Sequence, residues 1–477
     1  MGPSLILLPF FSVIILNLPL RNLMKRLAFW LCLALLSAQI YWAFFPQAVL
    51  WGRYFAVFQE VLRFDLISDS LTRLMLLSIG IVSLVALFMG RRMIENQEQR
   101  FNFINLLFII LAGMNGIVMV RDIFSLYVFL EIASIASFIM IASSKHAHAL
   151  EGVFKYIVMS MVATVLMLSA IALFLVVSGD TSFSAINAAV RGTPSGSMLT
   201  FAIGIFSCGL FIKSGLMPFH GWLPDTYSWA PAPVSVLLAG IVTKTVGVYA
   251  LIRLVVSVFG LHASFQQVLM FVGIISIVIG AIAALGQNDF RRMLAYSSIS
   301  QVGYIVLGLG SGTALGLSGA VFHLFNHSIF KSLLFVNAAA VETQTGRRDM
   351  NTMSGLSKRM PLTGITSCLG SLSCAGIPPL AGFWSKLIII IALWVSGHYL
   401  YAFIAVAASV VTLAYFLSMQ RRVFFGKLAE DLVQIKETGF YLGFCAILLA
   451  LITVGAGIFF PFMLNTFILP VGNILGG

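Results

Sequence analysis

The sequence predicts an all-α integral membrane protein with about 14 transmembrane helices, some of them broken, in two inverted five-helix repeats. Of its 477 residues, 60% are hydrophobic and only 9% are charged, whereas a soluble domain carries about 25% charged residues. The mean hydropathy is +1.03, and long apolar stretches recur along the whole chain. Each stretch can cross a hydrocarbon core of about 30 Å.

The apolar stretches divide the chain into helices and loops. The predicted helices cover residues 3–20, 26–45, 68–90, 101–120, 122–143, 152–178, 199–217, 232–257, 265–286, 289–309, 313–340, 361–396, 399–420 and 438–463. Residues 46–65 are more polar and rich in β-formers, which indicates a short surface hairpin. We expect four regions: 1–100 with helices 1–3 and the hairpin, 101–258 with helices 4–8, 259–422 with helices 9–13, and 423–477 with helix 14.

The basic residues of the loops predict the orientation. Odd-numbered loops hold 17 lysines and arginines, and even-numbered loops hold five: Arg53, Arg63, Arg121, Arg191 and Arg253. Because cytoplasmic loops are the basic ones, the odd-numbered loops face the cytoplasm and both termini lie outside. We expect a multi-pass protein of the inner (cytoplasmic) membrane of a prokaryote. The net charge of +12 then reflects topology, and we expect no nucleic acid partner.

The chain offers no motif for a redox centre or a bound nucleotide. Its cysteines, Cys32, Cys208, Cys368, Cys374 and Cys445, lie in apolar segments without a Cys-x-x-Cys spacing. We therefore interpret them as small core residues. The sequence also lacks a P-loop and a Gly-x-Gly-x-x-Gly motif after a strand. We expect no cofactor, metal or catalytic redox site in this chain.

Some basic residues fall inside the predicted helices: Arg73, Lys155, Lys213, Lys244, Lys331 and Lys386. Arg73 and Lys155 lie near helix ends and are interpreted as interfacial anchors. The other four are deeper, where a charge costs about 2.5–3.5 kcal/mol on insertion scales. A buried lysine can release its proton, which an arginine cannot do. The four lysines are therefore candidate proton-binding sites.

Glu131 is an acid deep inside a span and the natural counter-ion of a neighbouring lysine. Its attraction would keep that lysine protonated, and loss of the attraction would release the proton. A static buried ion pair is the alternative. Static pairing with one glutamate does not account for four buried lysines.

His323, His327 and Lys331 follow one another at intervals of four residues. They line one face of a helix over roughly 12 Å. Since histidine titrates near neutral pH, such a ladder can relay protons. Two alternatives are satisfied core histidines and a metal site. His-x-x-x-His is a metal spacing, although no acidic or cysteine ligand stands nearby.

Two predicted spans are interrupted by proline close to a buried lysine. Pro218 follows Lys213, and Pro378 and Pro379 precede Lys386. Proline removes a backbone donor, and irregular backbone at membrane depth is tolerated only inside the protein or against a water-filled cavity. The interruptions are five spans apart, in helices 7 and 12, which indicates inverted repeats with ion sites at the breaks.

Four sequence runs together identify a family: FIKSGLMPFHGWLPDTYSWAPAPVSVLLAGIVTKTVGVYALIR, DFRRMLAYSSISQVGYI, HLFNHSIFKSLLF and PPLAGFWSK. They closely resemble the antiporter-like subunits of the respiratory complex I superfamily. That family includes Mrp-type Na⁺/H⁺ antiporter subunits and the membrane arms of energy-converting hydrogenases. The resemblance covers roughly residues 100–425. It implies fourteen core helices with inverted repeats of five.

The resemblance implies a role for each buried ionisable residue. The residues of the first half are Glu131 and Lys213, which match the family's charge pair, Lys244, which matches the helix-8 relay residue, and His220, which matches a histidine beside the first break. Those of the second half are His323, His327 and Lys331, which match the central relay, and Lys386, which matches the helix-12 exit residue. One complex I branch has glutamate at this last position, so the lysine disfavours that branch.

The resemblance also implies a function. It is that of a proton-translocating subunit of a redox-driven complex, either a complex I relative or a membrane-bound hydrogenase. Partners would be antiporter-like paralogues and a quinone-site-like or hydrogenase module, which would hold any iron–sulfur cluster, flavin, quinone or nickel–iron centre. The alternative is a Mrp-type Na⁺/H⁺ antiporter subunit without redox coupling. A third hypothesis, a stand-alone channel or scaffold, fits the buried ionisable residues less well.

Overall fold

The computed structural model describes residues 2–19, 21–45, 66–192 and 196–472. Within these ranges the protein is all-helical and has no β-strand. Twelve of the described helices are long and apolar enough to cross a membrane. The predicted fold class, a multi-pass helical membrane protein, is therefore confirmed. The hairpin predicted for residues 46–65 lies outside the described residues.

The helices are labelled here in chain order. They are α1 Gly2–Leu16, α2 Arg21–Phe44, α3 Ser70–Met93, α4 Gln97–Met119, α5 Ile123–Ala142, α6 Ala147–Ser178, α7 Phe183–Gly192, α8 Ser197–Ser214, α9 Leu223–Trp229, α10 Ala232–Phe259, α11 Ala263–Leu285, α12 Phe290–Gly310, α13 Ala314–Thr345, α14 Pro361–Ala375, α15 Ala381–Val395, α16 Tyr399–Val423, α17 Phe440–Ile458 and α18 Phe460–Gly472. Every predicted span overlaps one of them. The predicted twelfth span is two shorter helices, α14 and α15, and the short helices α7 and α9 were not predicted.

The chain forms two compact units. The first unit comprises Met1–Ser214 and Ile241–Leu261, and the second comprises Gly215–Gly240 and His262–Gly477. The continuous helix α10 therefore contributes to both. The two inverted five-helix repeats, with their boundaries near residues 258 and 422, stay a prediction.

Each unit contains the same local arrangement, in which an aspartate caps a helix and its backbone forms an isolated β-bridge. In the first, the Asp122 carboxylate caps α5 by accepting a hydrogen bond of 2.6 Å from the backbone N–H three residues later, and its backbone pairs with Ser182. In the second, Asp289 caps α12 in the same way at 2.7 Å, and its backbone pairs with Asp349. These two aspartates lie at the start of the fifth and tenth predicted spans.

The helices differ in how much of their surface the protein covers. All of the most apolar window of α13 and 94% of that of α12 are buried, against 33% for α6 and for α16. Val165 on α6 is 63% exposed and Phe403 on α16 is 71% exposed. Such apolar exposure fits a lipid-facing helix. The ionisable residues of α13 are thus shielded from lipid by the surrounding helices.

The backbone departs from helix at both predicted breaks. Helix α8 ends at Ser214, where Gly215 has φ +67°, and the peptide before Pro218 is cis. Helix α14 ends where Gly376 has φ +86°, and the peptide before Pro379 is cis. A left-handed glycine is a common helix terminator, because it carries no Cβ. Glycine followed three residues later by proline therefore stops the helix twice.

Arg253 was counted among the loop residues although the predicted span 232–257 covers its position, and the loop assignment is wrong. It lies inside α10 and is 2% exposed. Its guanidinium binds both carboxylate oxygens of Asp69 at 2.6 and 2.8 Å, and also the Tyr249 hydroxyl at 3.0 Å. Asp69 caps α3 by accepting from the backbone N–H of Thr72. A bidentate partner that neutralises the charge lets the arginine stay inside a helix.

Candidate functional site

The first unit brings Glu131 and Lys213 together. Glu131 lies in the middle of α5, and Lys213 lies in the last turn of α8, directly before the break. The Lys213 ammonium donates to the Glu131 carboxylate at 2.9 Å. The lysine side chain is fully buried, while the glutamate side chain is 20% exposed. The residue chemistry alone left the partner of Glu131 open, the family resemblance implied Lys213, and the structure brings these two side chains together.

Three hydroxyls surround this ion pair. Lys213 also donates to the hydroxyls of Ser134 at 3.0 Å and Ser160 at 2.6 Å. Thr164 donates to the Glu131 carboxylate at 2.8 Å. An ammonium has three protons, so each of them has an acceptor. These serines and this threonine on α5 and α6 were not predicted. Serine and threonine are common in helices, and nothing in a single sequence marks these three.

Lys244 lies on α10 in a stretch of π-helix, Lys244–Tyr249. It is 1% exposed, and its ammonium lies 3.4 Å from the Thr243 hydroxyl. Gly247, one turn later, lies against the end of α8, because a Cβ there would come within 2.3 Å of the Ser214 hydroxyl. π-helical turns inside α-helices occur frequently at functional sites. Glycine thus allows α10 to approach the break that follows Lys213.

The second unit contains the histidine ladder on α13. His323 and His327 are fully buried, with ring centroids 6.3 Å apart and ring planes 13° from parallel. The His323 Nδ1 lies 2.9 Å from the Ser385 hydroxyl, and the His327 Nε2 lies 3.3 Å from the Ser298 hydroxyl. Each histidine therefore has a hydroxyl neighbour on another helix.

Lys331 continues the ladder one turn further along α13. It is fully buried, and it donates to the Leu294 carbonyl at 3.1 Å and to the Ser297 hydroxyl. Ser297 and Ser298 are neighbours on α12. Consecutive serines on α12 therefore contact Lys331 and His327, which are two of the predicted relay residues.

Lys386 lies on α15, after the second break. It is 3% exposed, and its ammonium lies 4.4 Å from the ring centroid of Tyr304. The same ring also neighbours His323, with centroids 5.9 Å apart. Ser385, which contacts His323, is the residue before Lys386. The second unit therefore places Lys331, both histidines and Lys386 in one connected group.

Several buried polar atoms of this group lack a protein hydrogen-bond partner among the described residues. They include the Lys386 ammonium and Nε2 of His323, and both amide atoms of the buried Gln301, between Ser298 and Tyr304 in the sequence of α12, also lack a partner. Buried polar groups without a partner are costly in a dry interior. Internal water is the usual way in which such groups are satisfied. Gln301 was not predicted as part of the site.

The break before Lys386 is packed against the C-terminal helices. Gly457 on α17 lies so close that a Cβ there would be 2.3 Å from the Pro379 carbonyl oxygen. Trp384 donates to the Gly457 carbonyl at 3.0 Å and stacks on Phe460, with centroids 4.7 Å apart. The break exposes Pro378 and Pro379 while Leu380 is buried. The last span therefore supports the second break.

The remaining predicted residues lie apart from these groups. His220 is half-buried in the short turn His220–Trp222, and its ring centroid is 6.3 Å from that of Tyr296. Lys155 is exposed and pairs with Glu151 at 2.7 Å. Arg73 donates to the Ala43 carbonyl at 3.2 Å. The roles predicted for these residues, as for the other site residues, stay predictions.

Broken helices with buried ionisable side chains beside the breaks are characteristic of membrane subunits that move ions. Residues 120–412 match the family model described as NADH:quinone oxidoreductase/Mrp antiporter, TM. The chain belongs to this family, as an antiporter-like membrane subunit. The resemblance found in the sequence motifs is thereby confirmed.

Relatives come from both branches of the family. The chain is 33% identical to a Na⁺/H⁺ antiporter subunit of Alkalihalophilus pseudofirmus, over 76% of this chain and 73% of the relative. It is also 33% identical to an NADH-quinone oxidoreductase subunit of Desulforudis audaxviator, over 74% and 71%. A chain in the structure of the Mrp complex from Dietzia sp. has the same fold, with TM-score 0.89, 23% identity and coverage of 99% and 97%.

Proposed function

We propose that this chain translocates protons as an antiporter-like membrane subunit of a multisubunit, redox-driven complex. The observation that carries the proposal is the Glu131–Lys213 ion pair at 2.9 Å, buried directly before a helix break. The pair holds a titratable lysine beside a carboxylate whose position can change its charge state. A change in that attraction is a means of loading and releasing one proton.

The second unit supplies a separate group of residues for proton transfer. Lys331, His327 and His323 each lie beside a serine hydroxyl, and Lys386 lies beside the Tyr304 ring. Hydroxyls both donate and accept, so each serine can pass a proton to or from the titratable group that it contacts. Water at the unpartnered atoms of His323 and Lys386 would complete the path. His220 at the first break and Lys244 on α10 are proposed members of the pathway.

The driving energy comes from partners in this proposal. The described helices carry no metal-binding group of three or more histidine, cysteine or acidic residues. Iron–sulfur clusters, flavin, quinone or a nickel–iron centre would belong to a hydrogenase-like or quinone-site-like module, and further antiporter-like paralogues would extend the membrane arm. We propose the inner membrane of a prokaryote as the location, with both termini outside, which the loop charges support. H⁺ is the proposed ion, with Na⁺ as a second candidate.

The second candidate function is that of a Mrp-type Na⁺/H⁺ antiporter subunit without redox coupling. The equal identity of 33% to a Na⁺/H⁺ antiporter subunit supports it. The two candidates differ in what drives ΔpH in membrane vesicles that contain the intact complex. A redox-driven complex forms ΔpH on addition of its electron donor, without a Na⁺ gradient. An antiporter forms ΔpH from an imposed Na⁺ gradient alone, and that result would overturn the redox assignment.

A further inference from the structure

The first unit contains a basic cavity whose lining includes none of the ionisable residues of the proposed pathway. It lies where α2 begins, α3 ends and α4 begins, and its volume is about 400 Å³. Ligand pockets commonly measure about 300–1,000 Å³. Its charged lining is Lys25, Arg26, Arg91 and Arg100, and no acid is among the described residues that line it.

The cations of the cavity are held in place by their neighbours. The Arg91 guanidinium lies 4.3 Å from the ring centroid of Phe29 and 5.9 Å from that of Trp30. Arg100 donates to the Ile94 carbonyl at 2.8 and 3.0 Å. Stacking and backbone hydrogen bonds order the two guanidiniums without neutralising them. The cavity therefore presents ordered positive charge, which suits an anion.

Among the described residues, the carboxylate of Glu98 lies beside the cavity. Glu98 pairs with Lys25 at 2.5 Å. It does not line the cavity. Arg26, Arg91 and Arg100 complete the set of lining cations. The charge of the lining thus exceeds what this acid balances.

An exposed apolar face of α2 passes the cavity and continues along the membrane span. Trp30 and Tyr41 are 59% and 54% exposed, and their spacing of about three turns places them on one helix face. Only 39% of the apolar window of this helix is buried inside the protein. Trp30 lines the cavity and also belongs to this face. Tryptophan is enriched at the headgroup level of membranes.

We propose that this cavity binds the phosphate group of an anionic phospholipid, whose acyl chains lie along the α2 face from Trp30 toward Tyr41. The basic lining suits a phosphate, which a free ion would also satisfy. The exposed apolar face beside it suits hydrocarbon, as on α6 and α16, and its place next to the basic cavity favours a lipid over a free ion. Basic pockets between transmembrane helices on the cytoplasmic side are typical headgroup sites.

The test uses the full chain reconstituted in vesicles and the fluorescence of Trp30. Dibrominated phosphatidylglycerol or dibrominated phosphatidylcholine is added as a minor component, and bromine quenches tryptophan on contact. The Trp30 signal is the difference between the wild type and W30F, because the chain has seven tryptophans. We expect the anionic lipid to quench Trp30 more strongly than the zwitterionic lipid. Equal quenching by the two lipids overturns the proposal.

Charge variants test whether the cavity causes the preference. Each basic residue near an anionic headgroup is worth about fivefold in affinity, so R91Q/R100Q lowers the relative affinity roughly 25-fold. The matched control is R92Q, because Arg92 lies in the same turn as Arg91 but is exposed and does not line the cavity. An equal loss in R92Q contradicts the proposal. If R91Q/R100Q does not fold, R26Q provides the same test with about fivefold loss.

A final arm separates the two sources of phosphate. Millimolar inorganic phosphate is added to the wild type in the presence of brominated phosphatidylglycerol. We expect the quenching of Trp30 to persist, because the acyl chains contribute to binding. Loss of the lipid preference assigns the cavity to free phosphate and overturns the lipid proposal.

Discussion

Replacing one member of the Glu131–Lys213 pair leaves the other without its counter-ion inside the membrane domain. Glu131→Gln leaves a buried ammonium with only the neutral hydroxyls of Ser134 and Ser160. Lys213→Met leaves a carboxylate with the hydroxyl of Thr164. The double variant Glu131→Gln/Lys213→Met leaves no charge at all. We therefore expect the double variant to be more stable than either single variant, although all three stop pumping.

The magnitude follows from the 2.9 Å separation of the two charged groups. At an effective dielectric constant of about 20, the Coulomb attraction is about 6 kcal/mol, most of which offsets the desolvation of the two charges. Breaking a buried pair from one side costs about 3–5 kcal/mol, whereas removing both partners is often nearly neutral. The losses of the two single variants therefore do not add in the double variant.

The free energy of unfolding is measured for the full chain in mixed micelles of a mild detergent and dodecyl sulfate, with tryptophan fluorescence as the signal. Pumping is measured as ΔpH in membrane vesicles. The matched control is Glu151→Gln/Lys155→Met, which removes an exposed pair at 2.7 Å on α6 and should change stability little. Additive losses in the Glu131–Lys213 cycle, or undiminished pumping in either single variant, would refute the reasoning.

Three further variants test other parts of the structure. Lys244→Arg should abolish ΔpH formation while Lys244→His retains part of it, because the site must release its proton; equal rates for arginine and lysine would contradict this role. Ser385→Ala should slow ΔpH formation about fivefold, since it removes one hydrogen bond from His323. Ser396→Ala is its control, because that hydroxyl donates only to carbonyls of its own helix, and equal slowing of both would count against the role of Ser385. Arg253→Lys should lower the free energy of unfolding by about 1–3 kcal/mol, because an ammonium cannot bind both oxygens of Asp69; an unchanged unfolding midpoint would show that the bidentate contact contributes nothing.

The parts of the fold that sequence alone predicted are those that depend on local chemistry. A membrane helix is marked by its own apolar length, so every span was placed within a few residues. The breaks at Pro218 and Pro379 were also visible, because proline and glycine act on the backbone of their own segment. The buried ionisable residues stood out because charge is rare in such spans.

The contacts that were not predicted form between segments that are far apart in the sequence. Arg253 and Asp69 are 184 residues apart, so the sequence offered no counter-ion for an arginine inside a span. Ser160 became recognisable only when α6 placed it beside Lys213. Gln301 lies in a run of small polar residues that is typical of ordinary helix packing. A single sequence does not encode these pairings in any local pattern.

The contact of Gly457 with the second break separates the shape of the proposed pathway from its charges, two properties that most substitutions change together. A methyl group at position 457 would press on the Pro379 carbonyl without adding or removing a charge. Substitution there alters the backbone at the second break and leaves the titratable groups of the proposed pathway chemically unchanged. The last span therefore supports the backbone of the proposed pathway. A neighbouring subunit that shifts α17 would move the second break without contributing a charge.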